Sequence, residues 1–348
     1  MDGGSEYVVP LPISPPATQP SHPNIARPRP PFDPELAVML PVLHQEIPAT
    51  VRLADIPVLR ERLRAMAPSA AQLLAGRPIG HVEHVIAGFG GAEIVVSVFA
   101  RTDHAVPGPG FFHTHGGGMM LGDRFFGLSE VLDWVQWHDA VCVSVEYRLA
   151  PEFPDPVPVE DCYAGLVWTA ANADALGIDP GRLIVAGASA GGGLAAGLAL
   201  LARDRGAPGL AGQILMCPML DDRGRTVSSH QFVDGLGLWD RGSHSTAWGA
   251  LLAERFGTDD VSFYAAPARA ENLDGLPPAY IDVGSAELLR DEAVAYASGI
   301  WACGGVAELH VWQGGFHGFC AYVPRAAVSV QARRTRDAWV ARLVGVQR

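Results

Sequence analysis

The chain contains no lysine: all 25 of its basic residues are arginine. Schiff-base enzymes, Walker-A nucleotide triphosphatases and Ser-Lys hydrolases each need an amine at the reacting centre, so all three are excluded. Charge is sparse, at 18% of residues, and the 37 acidic residues leave a formal net charge of -12. A chain of that sign offers no basic footprint for nucleic acid or for an anionic membrane surface, so neither is expected as a partner. Cysteine is scarce and odd in number. Cys142, Cys162, Cys217, Cys303 and Cys320 are scattered, with no C-x-x-C pair. They read as reduced thiols, mostly buried, in a cytoplasmic protein. No apolar run approaches the roughly 20 residues that span a bilayer. The longest, at 194–202, follows three glycines. The N-terminus lacks a basic stretch leading into an apolar one, so no signal peptide is expected.

What the chain does have is apolar content: 49% of 348 residues. That is enough for one large core or two medium ones. Residues 1–35 are rich in proline, which fixes φ and removes backbone donors, so they read as an extended arm. From residue 34 to 74 the apolar spacing is helical. Asp55 is placed to cap a helix with Pro57 near its start, and Leu59, Leu63 and Met66 line one face. Segments 82–86 and 93–99 then read as two strands joined by a glycine-rich turn. Beyond them, strands (110–113, 140–145, 183–186, 212–217, 279–283, 307–312) alternate with helices (127–138, 159–175, 190–203, 287–303, 325–344). This rhythm predicts an α/β architecture with a mostly parallel eight-stranded sheet, helices on both faces and an antiparallel edge. Residues 221–265 interrupt it and read as a helical insertion over one end of the sheet. The expected organisation is an arm and helical cap segment at 1–75, a catalytic domain at 76–348, and a second cap segment at about 221–265.

Three motifs carry chemistry. Gly187-Ala188-Ser189-Ala190-Gly191 is a G-x-S-x-G. By composition about 0.2 such matches arise by chance, so context must carry it. A buried strand precedes it and a helical run follows. A serine on a sharp strand-to-helix turn needs small neighbours, and the helix N-terminus beneath it offers free N–H groups to a developing oxyanion. The overlapping Gly191-Gly192-Gly193-Leu194-Ala195-Ala196 is a weak dinucleotide fingerprint, but its first glycine does not end the strand and no acidic residue closes the next one. The second motif is His115-Gly116-Gly117-Gly118 after a strand. Bare backbone there can turn N–H groups toward a substrate oxygen, so Gly116, Gly117 and Ala190 could form a three-donor oxyanion hole. His115 reads as the residue that holds this loop. A metal pair of His113 and His115 lacks a third ligand nearby, and no metal or organic cofactor is expected. The third is Gly314-Gly315-Phe316-His317-Gly318-Phe319. A histidine on a glycine-flanked loop past the last strand suits a general base.

Together with Tyr147-Arg148-Leu149-Ala150-Pro151-Glu152, Phe153-Pro154, Asp161 and Arg290-Asp291-Glu292, these blocks resemble the hormone-sensitive-lipase-like branch of the α/β-hydrolases, the bacterial carboxylesterases. The likeness spans roughly residues 80–320 and implies an α/β-hydrolase fold, a Ser189–His317–acid triad and hydrolysis of small, short-chain acyl esters. There is one departure. Where the family carries Asp-Pro-Leu-Arg-Asp-Glu, this chain has Glu287-Leu288-Leu289-Arg290-Asp291-Glu292. The acid slot therefore falls to Glu287, with Asp291 as the alternative, one helical turn further on. Asp282 sits inside a strand, too low to reach. Arg148 is expected to pin the loop below the oxyanion motif through Glu152 or Asp161. Met119, Met120, Trp239 and Trp248 line either the pocket or the core. Amide or acetyl-group hydrolysis by the same residues stays open, as does a non-catalytic receptor role, which the retained His317 argues against. The small-molecule ester is the expected partner, and a homodimer is compatible with the sequence.

Overall fold

The computed structural model describes residues 28–345. Most of the proline-rich arm lies outside them. Eight strands form one sheet: β1 (Ile79–Ala87), β2 (Glu93–Arg101), β3 (Gly108–Thr114), β4 (Val141–Glu146), β5 (Ile178–Ala188), β6 (Gly212–Met216), β7 (Ala279–Gly284) and β8 (Ala307–Trp312). Their order is β1-β2-β4-β3-β5-β6-β7-β8. β2 runs antiparallel to both neighbours, and every other pairing is parallel. The hairpin read from the sequence is thus the antiparallel edge of a mostly parallel sheet.

Side-chain alternation explains why helices cover both faces. Phe112, Val143, Val185, Leu215 and Ile281 belong to one apolar cluster. Their strand neighbours Phe111, Cys142, Ile184, Ile214 and Tyr280 belong to another on the opposite face. Successive strand residues point to opposite faces, and a parallel sheet buried on both reads as a continuous apolar run. The first face packs on α2 (Val157–Ala171), α3 (Ala190–Arg205) and α5 (Arg290–Ala302), and the second on α1 (Ser129–His138) and α6 (Ala327–Leu343).

Three local differences from the sequence reading have physical causes. The helix at Ile56–Met66 forms with Pro57 in its first turn, but the Asp55 side chain accepts the N–H of Arg52 (2.9 Å) and closes a short 3-10 turn instead of capping the helix. The helix expected over 159–175 breaks at Asn172, whose side-chain amide donates to the carbonyl of Trp168 (2.8 Å). The helix expected from residue 287 starts at Arg290. The N–H of Ser285 donates to Trp312 O (2.7 Å) and that of Ala286 to Gly315 O (3.0 Å). These bonds hold residues 285–289 in a turn against the loop after β8.

Two segments outside the strand-helix rhythm meet near the carboxyl ends of the strands. The stretch after β6 carries the helices Val227–Gln231 and α4 (Arg241–Leu252). It is tied to the N-terminal segment by Thr50 Oγ1, which donates to Asp240 Oδ2 (2.6 Å), and by the Val51 N–H, which donates to Ser243 Oγ (2.8 Å). Leu36 and Leu40 of the N-terminal helices share a third cluster with Leu238, Trp312, Phe316 and Phe319, on either side of His317.

Candidate active site

Ser189 sits between β5 and α3 with φ 58° and ψ -123°. Its backbone is held there by three bonds: its N–H donates to Met216 O (2.8 Å), and its carbonyl accepts from Gly193 N (3.0 Å) and Met219 N (2.9 Å). A non-glycine residue in the left-handed half of φ/ψ space persists only where its surroundings over-determine it. The flanking glycines are required for contact. A Cβ on Gly187 would lie 2.3 Å from the carbonyl oxygen of Gly191, and one on Gly191 would lie 2.1 Å from that of Thr114.

His317 lies on the turn between β8 and the short helix Phe319–Tyr322. Its Nε2 is 2.9 Å from Ser189 Oγ, and its Nδ1 is 2.6 Å from Glu287 Oε2. The second oxygen of Glu287 accepts the N–H of Gly284 (2.9 Å). Glu287 is 2% exposed and His317 8%. Burial disfavours the imidazolium, but the Cys217 sulfur and the Glu287 carboxylate outweigh it, and the pKa of His317 stands well above its ordinary value. With Glu287 bonded at both oxygens, the carboxylate has no freedom to turn away from the ring.

The two other carboxylates considered for the acid position lie elsewhere. Asp291 accepts the N–H of Ser228 through Oδ2 (2.7 Å) and Arg290 Nε through Oδ1 (2.7 Å). It anchors α5 to the segment after β6. Asp282, inside β7, is paired with the buried Arg336 (2.7 Å).

The loop at 115–121 is organised through its carbonyls. Tyr147 Oη donates to His115 O (2.9 Å), and His115 Nδ1 is 2.8 Å from Gly116 O. The N–H groups of Met120 and Leu121 both donate to Gly117 O (3.1 and 2.9 Å). With three successive carbonyls engaged, the N–H groups of Gly116 and Gly117 take no partner among the described residues, nor does that of Ala190. The last is expected, because the first N–H groups of a helix have no intrahelical acceptor. Gly116 lies against the Ser189 turn, where a Cβ would be 3.5 Å from Ser189 Cβ. His115, stacked on Tyr147 at 4.1 Å, is buried and its pKa is lowered by burial, so it holds the loop as a neutral ring. His113 turns to Ser144 Oγ (2.9 Å), and burial lowers its pKa to about 3.

Arg148 chooses Asp161, in a forked pair at 2.8 Å on each arm. Glu152 goes instead to Arg60, which the sequence reading passed over. Arg60 donates to both oxygens of Glu152 (2.8 Å each), to Met120 O (2.7 Å) and to Ala150 O (2.6 Å). It locks the helix Ile56–Met66 onto the loop at 115–121. Trp239 lies beside His317, with ring centroids 6.2 Å apart, and against Gly118. Trp248 is core, its indole N–H donating to His244 Nε2 (3.1 Å). Cys217 was also missed. It directly follows β6, at φ 38°, and its sulfur lies within 4.8 Å of ligand atoms of both Glu287 and His317. Its one sequence signal is its place at the carboxyl end of the strand next to the one carrying Ser189.

Comparison with known proteins identifies the family of this fold. The model of a family described by the alpha/beta hydrolase fold matches residues 111–321. Carboxylesterase NlhH of Mycobacterium tuberculosis is 35% identical over 326 residues, covering 88% of this chain and 95% of the relative. Among solved structures, a bacterial heroin esterase superposes with a TM-score of 0.83 at 38% identity, over 90% of this chain and 98% of that one. A hyperthermophilic esterase from the archaeon Pyrobaculum calidifontis gives a TM-score of 0.78 at 30% identity, over 89% and 98%.

Proposed function

Given that the chain belongs to the α/β-hydrolase family, in its hormone-sensitive-lipase-like branch, we propose that it is a serine carboxylesterase working through an acyl-enzyme on Ser189. The observation that carries this reading is the continuous relay Ser189 Oγ–His317–Glu287, with contacts of 2.9 and 2.6 Å. Ser189 attacks the ester carbonyl while His317 Nε2 takes its proton. Glu287 keeps the Nδ1 proton facing it and stabilises the imidazolium. The N–H groups of Gly116, Gly117 and Ala190, which take no partner among the described residues, receive the oxyanion. His317 then protonates the leaving alkoxide. Water enters, His317 takes its proton, and the acid is released from Ser189. This chemistry needs neither metal nor organic cofactor.

Residues 28–75 and about 221–265 act as a cap over Ser189. Arg60 and Trp239, one from each segment, contact the 115–121 loop, and the Thr50–Asp240 bond joins the two. Short acyl esters fit this arrangement. The bulky Trp239 ring stands beside His317, with centroids 6.2 Å apart, which favours a short acyl chain over a long one. The test is a panel of p-nitrophenyl esters from acetate to laurate, with one anilide, alongside labelling by an organophosphate. Turnover should peak at the short esters and the label should map to Ser189. A label on any other residue, or hydrolysis of the anilide alone, would overturn the reading.

A further inference from the structure

Cys217, Glu287 and His317 come from three different places: the residue after β6, the turn after β7 and the turn after β8. A thiol sulfur, a carboxylate oxygen and a ring nitrogen, one from each, all lie within 4.8 Å of one another. Among the described residues no other group of three or more such side chains comes this close. The set is a soft-to-borderline one, thiolate, imidazole and carboxylate, which selects zinc over magnesium or calcium. Cys217 is also held in place: its φ is 38°, and its N–H donates to Asp282 O (2.6 Å). Like Ser189, it is a non-glycine residue at positive φ.

We infer that Cys217, His317 and Glu287 form an inhibitory site for a thiophilic divalent cation such as Zn²⁺. The ion would take one sulfur, one nitrogen and one oxygen and keep a water as its fourth ligand. Binding breaks the Cys217 S–H bond and releases that proton to solvent, together with the second ring proton of any His317 that is protonated, with no change of oxidation state. If the ion takes His317 Nδ1, the ring proton moves to Nε2, which then cannot accept from Ser189. If it takes Nε2, it blocks that acceptor directly. Either nitrogen gives the same outcome, loss of the general base, while the metal-free protein is the active form. The effect on turnover rests on the proposed esterase mechanism, but metal capture does not.

The experiment uses the full chain, purified with chelator, in thiol-free buffer. Titration with zinc chloride should lower p-nitrophenyl acetate hydrolysis saturably by about tenfold or more, and EDTA should restore it. In Cys217→Ser and Cys217→Ala, each referred to its own zinc-free rate, half-inhibition should need about tenfold more Zn²⁺ or higher. Capture is read separately with Cd²⁺ on Ser189→Ala, which turns over no ester. A thiolate-to-cadmium absorption band should appear at one equivalent and vanish when Cys217 is also replaced. Equal zinc sensitivity in wild type and both Cys217 variants, or no cadmium band, overturns the site. A cadmium band without loss of turnover would show that Cys217 takes the ion without His317, and would also overturn the inhibitory site.

Discussion

Replacing Glu287 by glutamine tests the acid position, where this chain carries glutamate in place of the aspartate of its family's pattern. The side chain has the same length, and Gly284 N and His317 Nδ1 would still be its two neighbours, at 2.9 and 2.6 Å in the native site. Only one orientation satisfies Gly284: the amide oxygen must accept its N–H, which turns the NH₂ group to His317. The ring then has to accept at Nδ1 and carry its proton on Nε2, the tautomer that cannot take the proton of Ser189. The reverse orientation restores the useful tautomer but sets NH₂ against the Gly284 N–H. A buried donor left unpaired costs about 1–3 kcal/mol. That alone confines the productive form to between roughly one in five and one in 150 molecules. Loss of the negative charge that stabilises the imidazolium multiplies the effect, and the equivalent change in a serine protease lowers kcat about 10⁴-fold. Steady-state hydrolysis of p-nitrophenyl acetate should therefore fall by about 10³- to 10⁴-fold in kcat, with the circular dichroism and cooperative melt retained. Asp291→Asn, in contrast, weakens the contact between α5 and residue 228. It should act mainly on stability, by about 1–3 kcal/mol. A Glu287→Gln enzyme within tenfold of wild type, with Asp291→Asn folded but inactive, would refute this reasoning.

Ser189→Ala should lower kcat by about 10⁶-fold while the protein still melts cooperatively; a residual rate within about a hundredfold of wild type would exclude it as the nucleophile. Sequence alone puts the acid limb of kcat/KM near pH 6–7, where a free histidine titrates. The raised pKa of His317 moves the limb upward, because the base acts only when neutral and so activity is lost as pH falls through that higher value. A pH profile already flat from about pH 6 upward would contradict this. Arg60→Ala should lower kcat more than it raises KM, since Arg60 positions the Met120 and Ala150 carbonyls without touching substrate. Arg60→Lys should recover only part of the loss, because an ammonium cannot reproduce the fork onto Glu152; full rescue by lysine would show that charge alone matters.

Much of the fold is legible because it rests on period. β3, β6 and β7 are buried along their whole length and stand in the sequence as short, mostly apolar stretches. The boundaries that mislead are those where tertiary bonds override local propensity. Ala286-Glu287-Leu288-Leu289 is good helix-forming sequence, yet Trp312 O and Gly315 O capture the N–H groups of Ser285 and Ala286 at its start. That displacement matters for chemistry: it takes Glu287 off the helix and lets its side chain reach from the turn. The groups that stayed hidden are those whose roles depend on distant partners. Nothing in Leu59-Arg60-Glu61 points to a carbonyl 60 residues away. A cysteine ending a strand likewise looks the same whether its neighbour is a leucine or a histidine.

The substitution of Glu for Asp at the acid position follows from the same turn. A carboxylate that orients a histidine needs one oxygen at Nδ1, and a second bond to keep that oxygen from swinging away. Glu287 meets both needs from three residues beyond Gly284, so its extra methylene spans the turn and its second oxygen ties back to the Gly284 N–H. An aspartate placed at 287 would be shorter by one carbon-carbon bond. From that backbone position it could keep the contact with Gly284 or the contact with His317, but the two neighbours stand on separate loops. These loops are fixed to each other by Ala286 N to Gly315 O and by Gly314 N to Ser285 Oγ (3.0 and 2.9 Å). Because those bonds resist adjustment, Glu287→Asp should retain only part of the activity even though it conserves the charge. The shortfall should appear in kcat, where the His317 orientation enters, and not in KM. Full activity in Glu287→Asp would show that the loops can close by the missing methylene, and that reach is not what selects glutamate here.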